Sequence, residues 1–509
     1  MKRRDFIKSA GGLILLAGAT PWPEVLAGTT SPSPGGSRPF NILFLTADDM
    51  NGSMPGWMGN SLKPTPNMDA FAATAHRFTH NHDAAPICQP SREAMMTGLW
   101  PNRSGGLGFN PIHEGVPTLA TELKNHGYFI AALNKLEHMQ PHSCFPWDYA
   151  TNDSGRNPPM IEAEVAEAIE RAQGKPFFLN CNMRDPHRPW PGLHKQGKPK
   201  GGGQDWAVAG SPINDVTTPI TANEVTVPSF LEDLPPVRQE LATYYNAVQR
   251  LDLSFGKAMA ALQASGEMDR TIVLFVSDHG MPFPFSKATC YTNGSWCPAI
   301  LRWPGMGHPQ TFPEMTQCID LMPTLLDLLG MEKPAMDGHS WVPLFRGEKQ
   351  DHRDYIINNV NGVADGDQFP MRAVQTKTSA LIVTPWSSGK NRFHGIDSTD
   401  GLTFPAMQEA AKTDPRIKKR VDQYAIGYPM AFYDLVADPD QRDNLIDIPA
   451  HRAEIKRLQD ILLDYMVRTN DPQLDNYKTI LAGGTCDFDT RAGSNNGGSG
   501  PHQTEGAEG

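Results

Sequence analysis

The chain has 509 residues, with 45 Lys and Arg against 56 Asp and Glu and a formal net charge of −11. That balance argues against nucleic acid as a partner, which calls for a basic face. It leaves room for an anionic substrate, because a local cluster of cations sets the field at a site. The seven cysteines (88, 144, 181, 290, 297, 318 and 486) are too few for a disulfide scaffold in a chain of this size, and the sequence does not say which would pair.

The N-terminus reads Met1-Lys2-Arg3-Arg4-Asp5-Phe6-Ile7-Lys8, then an apolar run from Leu13 to Ala19, then Val25-Leu26-Ala27. Charged, apolar and cleavable segments in that order look like a twin-arginine export signal over residues 1–27, a substrate for the twin-arginine translocase. The run is too short to cross a bilayer and no other approaches that length, so no transmembrane helix is expected. The mature protein is expected to be periplasmic or secreted. Residues 28–38 form a Ser/Pro/Gly linker and Gly493–Gly509 is polar and glycine-rich. The stretch between is long enough for a catalytic domain over 39–346 and a smaller α+β domain over 347–480, followed by a flexible tail over 481–509.

Asn41-Ile42-Leu43-Phe44-Leu45 predicts a buried strand that ends in Thr46-Ala47-Asp48-Asp49. Paired Asp at a strand end serves a turn or a helix cap, and it also supplies the oxygen ligands that a hard cation requires. Thr65-Pro66 starts a helix through Ala75. Cys88-Gln89-Pro90-Ser91-Arg92 follows, continuing to Thr97-Gly98. Ser91 and Arg92 are expected to open a helix that sets position 88 beside free N–H groups. Taken alone, this stretch also reads as a buried structural thiol before a Ser-capped helix.

A helix from Thr118 closes at His126-Gly127, and the strand Phe129–Leu133 delivers Lys135 and His138, which alone could be a solvated loop. Ile161–Ala172 is an amphipathic helix. The strand Phe177–Asn180 leads to Arg184-Asp185-Pro186-His187-Arg188-Pro189-Trp190, where flanking prolines stiffen the loop that carries His187. Such a loop suits a positioned acid or base, or packing on Trp190. Pro236–Ser265 is a long helix with a core stripe at Leu241, Tyr244, Tyr245, Val248, Leu251 and Phe255. The strand Thr271–Val276 ends in Ser277-Asp278-His279-Gly280, Ala299–Trp303 is another strand, and Asp320–Leu329 is a helix. Polar clusters at the carboxyl ends of strands are how open α/β sheets build sites. Beyond Arg346, Arg372–Val383 and Phe432–Val436 read as antiparallel strands, with Ala450–Thr469 a helix against them.

Together, Cys88-x-Pro90-Ser91-Arg92 with Thr97-Gly98 resembles the signature of the type I, formylglycine-dependent sulfatases, and the likeness runs from Asn41 to about Asn476. The resemblance implies an alkaline-phosphatase-like fold, a large mixed sheet sandwiched by helices with a smaller C-terminal α+β domain on an antiparallel sheet. It implies that Cys88 is oxidised to formylglycine by a formylglycine-generating enzyme, and that its hydrate attacks sulfur. It also implies one Ca²⁺ held by Asp48, Asp49, position 88, Asp278 and His279. Arg92 would hold the hydrate and brace the helix, Lys135 and Lys287 would clamp the sulfate, His187 with Lys287 would protonate the leaving group, and His138 would act as base. The family more often has Asn where His279 stands. The same superfamily hosts phosphatases and phosphonate or phosphodiester hydrolases, and a silent glycan-binding relative is a further alternative.

Asp185–Arg188, Gly280–Ser286 and Pro370–Gln375 are similar to the N-sulfoglucosamine sulfohydrolases, in which the latter two segments border the saccharide pocket. Lys287 stands where that group carries Arg. A sulfated saccharide is therefore the expected substrate, N-sulfated or O-sulfated. Nothing in the sequence indicates an oligomeric state.

Overall fold

Asn41–Ala47 is buried at every position, as a strand covered by helices on both faces must be. In the computed structural model, which describes residues 38–190 and 216–491, this strand, β1, lies inside an eight-stranded sheet. The others are β2 (His76–His82), β3 (Phe129–Leu133), β4 (Tyr149–Thr151), β5 (Phe177–Asn182), β6 (Thr271–Ser277), β7 (Ala299–Arg302) and β8 (Thr311–Gln317). Their order is β4-β3-β5-β1-β6-β7-β2-β8. β3, β5, β1 and β6 are adjacent and parallel, whereas β7 runs antiparallel to both β6 and β2. Four neighbouring strands thus point their carboxyl ends the same way, which gathers residues remote in sequence along one edge.

Alternation along the strands divides the core between the two faces. Leu43 and Leu45 of β1, with Val273 and Phe275 of β6, pack with Leu241, Val248, Leu251 and Phe255 of the long helix Pro235–Ala264. Ile42, Phe44, Ile272 and Leu274 face the other way, toward the helices Leu119–Asn125 and Leu321–Leu328.

A second sheet, antiparallel throughout, holds β9 (Ile356–Gly362), β10 (Gln368–Gln375), β11 (Ser379–Val383) and β12 (Met430–Asp434) in the order β12-β11-β10-β9. Val374, Leu381 and Phe432 pack against Leu458 and Leu462 of the helix Arg452–Arg468. This is the α/β fold expected, a large mixed sheet with helices and a separate antiparallel one.

Several expected boundaries move. Arg372–Val383 is two strands, broken where Thr376 Oγ1 accepts the amides of Thr378 and Ser379. The strand placed at Phe432–Val436 begins two residues earlier. The helix at the Cys88 stretch begins at Cys88 itself rather than at Ser91, because a first-turn N–H has no intrahelical partner and Pro90 costs nothing there.

The Pro370–Gln375 segment forms most of β10. It is buried in an interior strand of the small sheet, and Arg372 forms a two-bond pair with Asp471 at 2.6 and 2.9 Å. Its remaining donors reach the carbonyls of Val360 and Met371 and the Asn361 side chain, each at 2.9 Å. Arg372→Met is therefore expected to lower unfolding free energy by about 3–5 kcal/mol, because it leaves Asp471 buried and unpaired. Urea titration checks this, and a loss under about 1 kcal/mol, the scale of an exposed ion pair, would contradict it.

All seven cysteines are buried free thiols. No helix among the described residues is long and apolar enough to cross a membrane. The expected export signal, the linker up to residue 37 and the tail from residue 492 lie outside the described residues.

Candidate active site

The register of the sheet builds the site. Ala47 of β1 pairs with Ser277 of β6, and Thr46 pairs with Asn182 of β5. The residues that follow these strand ends, Asp48, Asp49, Asp278 and His279, therefore emerge side by side, and all four are fully buried. Asp49 has φ 76°, and Asn134 and Lys135 beyond β3 have φ 56° and 54°. Left-handed backbone at non-glycine residues is costly and concentrates at functional sites. Tyr244, from the core stripe of the long helix, donates to the Asp49 carbonyl at 2.8 Å and so supports that strained turn.

The Cys88–Thr97 helix docks on this edge by its first turn. Ser91 Oγ donates to the Asp278 carbonyl at 2.5 Å. Arg92 reaches Asp278 Oδ2 at 2.8 Å, Thr46 Oγ1 at 2.9 Å and Asn182 Oδ1 at 2.6 Å. Arg92 thus braces the helix against three strand ends, while its buried Nε has no hydrogen-bond partner among the described residues. Cys88 Sγ comes to 3.2 Å from His279 Nε2 and 3.5 Å from Asp48 Oδ1.

Asp48, Asp49, Cys88 and His279 each present a donor atom within 4.8 Å of the others'. Asp278 stands beside this group, but Asp49 and His279 amides fill its Oδ1, at 3.0 and 2.9 Å, and Arg92 fills Oδ2. Lys135 ion-pairs with Asp48, and Lys287 with Asp49 at 2.9 Å. Lys287 arrives on the Gly280–Ser286 loop, where a Cβ on Gly280 would sit 1.9 Å from the Asn293 carbonyl oxygen, so only glycine fits. His138 follows Lys135 on the same turn, its Nδ1 unpartnered among the described residues and its ring edge-on to Phe109 at 6.2 Å. His187 is held through its Nδ1 against the Arg188 carbonyl, and its Nε2 lies 4.0 Å from Asp397.

Charge crowding shows what the site is shaped to take. Burial, with Asp48 adding, pushes Asp278 up to about 7. Burial, reinforced by Asp48, Asp397 and Asp278 against the pull of Lys287, also raises Asp49 well above the carboxylate range. Burial works against ionisation of Asp48 too, but Lys135, His187 and Arg92 hold it well below that range. His279 and His138 are driven well down, chiefly by burial, and both stay neutral. Four carboxylates (Asp48, Asp49, Asp278 and Asp397) meet three fixed cations (Arg92, Lys135 and Lys287). A divalent cation would relieve the crowding that raises Asp49 and Asp278. Two carboxylates and a neutral imidazole around one point fit such a cation.

Three contributors escaped the sequence reading. Asp397 lies in the second half of the chain on a short helix, with nothing local to mark it, and pairs with Lys287 at 2.8 Å. Asn182 ends β5 and had the same signal as the other strand-end residues. Tyr244 was visible only as core.

The sequence pattern of the Sulfatase family matches residues 40–331, more than half of the chain, and the chain belongs to that family. It is accordingly a sulfuric ester hydrolase. N-sulphoglucosamine sulphohydrolase of Homo sapiens is 26% identical over 497 residues, covering 86% of this chain and 91% of that protein. An ulvan-active sulfatase of Formosa agariphila is 24% identical over 469 residues, covering 85% and 75%. Phosphonate monoester hydrolase of Agrobacterium radiobacter shares the fold, with a TM-score of 0.62 at 17% identity over 85% of this chain and 96% of that one.

Proposed function

We propose that the protein is a formylglycine-dependent sulfatase that removes sulfate from the non-reducing end of a sulfated saccharide, with N-sulfoglucosamine the leading substrate. The observation that carries this reading is the seating of Cys88, at the first turn of its helix, among Asp48, Asp49 and His279 with a lysine on each carboxylate. When present, Ca²⁺ and the formylglycine made from Cys88 would supply a Lewis acid and an oxygen nucleophile with a second hydroxyl to expel sulfate. Asp48, Asp49, His279 and position 88 would hold the cation.

The rest falls to the chain's own side chains. Lys135 and Lys287 exchange their carboxylate partners in part for the non-bridging sulfate oxygens and match their charge as it develops. His187 gives a proton to the departing oxygen or nitrogen. His138, neutral and with an Nδ1 unpartnered among the described residues, accepts the proton released when sulfate leaves. The paired arginines Arg3 and Arg4 ahead of their apolar run support export by the twin-arginine route to the periplasm or beyond.

An O-linked sulfate asks His187 for the same proton as a sulfamate, so the chemistry does not choose the substrate. Likeness to the human sulfamidase supports the N-linked reading. Lys287 in place of Arg, a point charge in place of a fork, and likeness to an ulvan-active sulfatase favour an O-sulfated glycan as the second reading. Offering N-sulfoglucosamine beside 2-O-, 3-O- and 6-O-sulfated sugars and an aryl phosphonate separates these. Sulfate release from the sulfamate is expected. Release only from an O-sulfated sugar would discard the sulfamidase reading and keep the sulfatase one, and turnover of the phosphonate alone would discard both.

A further inference from the structure

Asp397 belongs to neither sheet. It lies on the short helix Ile396–Thr399, with Oδ2 2.8 Å from Lys287 Nζ and 4.0 Å from His187 Nε2. Arg188, next to His187, donates from Nε to the Asp397 carbonyl at 2.9 Å, reaches the Pro282 carbonyl at 3.2 Å and pairs with Glu240 at 2.7 Å. The His187 loop, the loop that carries Lys287 and the Asp397 helix are therefore tied through one guanidinium, which also stacks on Trp190 at 3.9 Å. His187 Nδ1 faces the Arg188 carbonyl, a pure acceptor, so Nδ1 carries the N–H and Nε2 is the atom free to exchange a proton.

We propose that Asp397 is a positioning residue for leaving-group protonation, holding the protonated Nε2 of His187 while it anchors Lys287 beside the sulfate. The proposal rests on the sulfatase reading above and adds a member to its proton pathway. The need for it follows from what surrounds His187. Lys287 and Lys135 face it, Arg156 donates to the His187 and Arg188 carbonyls at 3.1 and 2.9 Å, and Asp48 and Asp397 oppose them. Burial and the two lysines outweigh Asp48 and Asp397 and leave His187 at about 3, so loss of Asp397 would lower it further. Burial works against ionisation of Asp397 as well, but Lys287 and His187 hold it well below the carboxylate range, so it stays charged.

Asp48 is already committed to Lys135 and to the cation cluster, which leaves Asp397 as the carboxylate that stands at Nε2. As the bond from sulfur to oxygen or nitrogen breaks, its electron pair stays on the departing atom, and the Nε2 proton passes to that atom. His187 is left neutral with its Nδ1–H still on the Arg188 carbonyl, and a proton from solvent restores it before the next turnover.

The test is leaving-group dependence in the full chain, with conversion of Cys88 verified by peptide mass. 4-Nitrophenolate departs from its sulfate ester without help, whereas a sugar oxygen or nitrogen needs a proton to leave. Asp397→Asn is expected to lower kcat/KM on the saccharide by about 10²-fold or more, and on the nitrophenyl ester by less than about tenfold, the range of general-acid help. Asp397→Glu should recover part of the saccharide rate only, and it carries the comparison if the asparagine variant melts early. Equal losses on both substrates with an unchanged melting transition would overturn the proposal and leave the sulfatase reading standing. A wild-type enzyme that released sulfate from neither substrate would overturn the sulfatase reading, and the proposal with it.

Discussion

Cys88→Ala is expected to abolish turnover, by about 10⁵-fold or more given what loss of a nucleophile costs elsewhere, with the fold retained. Position 88 supplies the reacting atom and little packing. Its helix is held by Ser91 and Arg92, whose contacts to Asp278, Thr46 and Asn182 do not involve the thiol. Cys88→Ser separates this mechanism from simple nucleophilic catalysis. A serine can take up sulfate on its single oxygen, but it has no second hydroxyl to expel it, so one equivalent should be retained and turnover should stop. Sulfate release by either variant within about tenfold of wild type would refute the mechanism.

Removing the divalent cation should be nearly as damaging. Chelation is expected to cost about 10³-fold or more in kcat/KM, the scale of losing a main electrostatic stabiliser, with activity restored by Ca²⁺. The individual carboxylates should differ. Asp49 presents its oxygens to the cluster and to Lys287 alone, so Asp49→Asn should resist rescue at calcium concentrations that restore the chelated wild type. Both oxygens of Asp278 are already engaged by the amides of Asp49 and His279 and by Arg92. Asp278→Asn should therefore weaken the seating of the Cys88 helix more than it weakens calcium binding. Isothermal titration with Ca²⁺ distinguishes the two, and equal losses of calcium affinity would contradict this division.

Much of the site was legible because parallel strands deposit their polar residues at one edge. Asp48-Asp49, Lys135 and Asp278-His279 each follow an apolar run that reads as a strand, and the register of β3, β5, β1 and β6 brings them together. Where strands lacked that apolar texture they were missed. β2 reads His-Arg-Phe-Thr-His-Asn-His and β9 is rich in asparagine, so neither shows the run of branched and aromatic residues that marks a strand.

Asp397 was missed for a different reason. It is an acidic residue on a helix of a single turn, more than a hundred residues beyond Lys287, and only tertiary structure brings it to Lys287. Arg372, in a segment that the resemblance singled out, is packed inside the small sheet with its charge paired to Asp471.

The mechanism turns on the chemical identity of position 88 in the working enzyme, and the mass of the peptide spanning residues 77–103 reads it directly. From a preparation that releases sulfate, that peptide should carry an aldehyde at position 88, lighter than the cysteine form and reactive toward a hydrazide. Full activity in a preparation whose peptide carries only the thiol would contradict it.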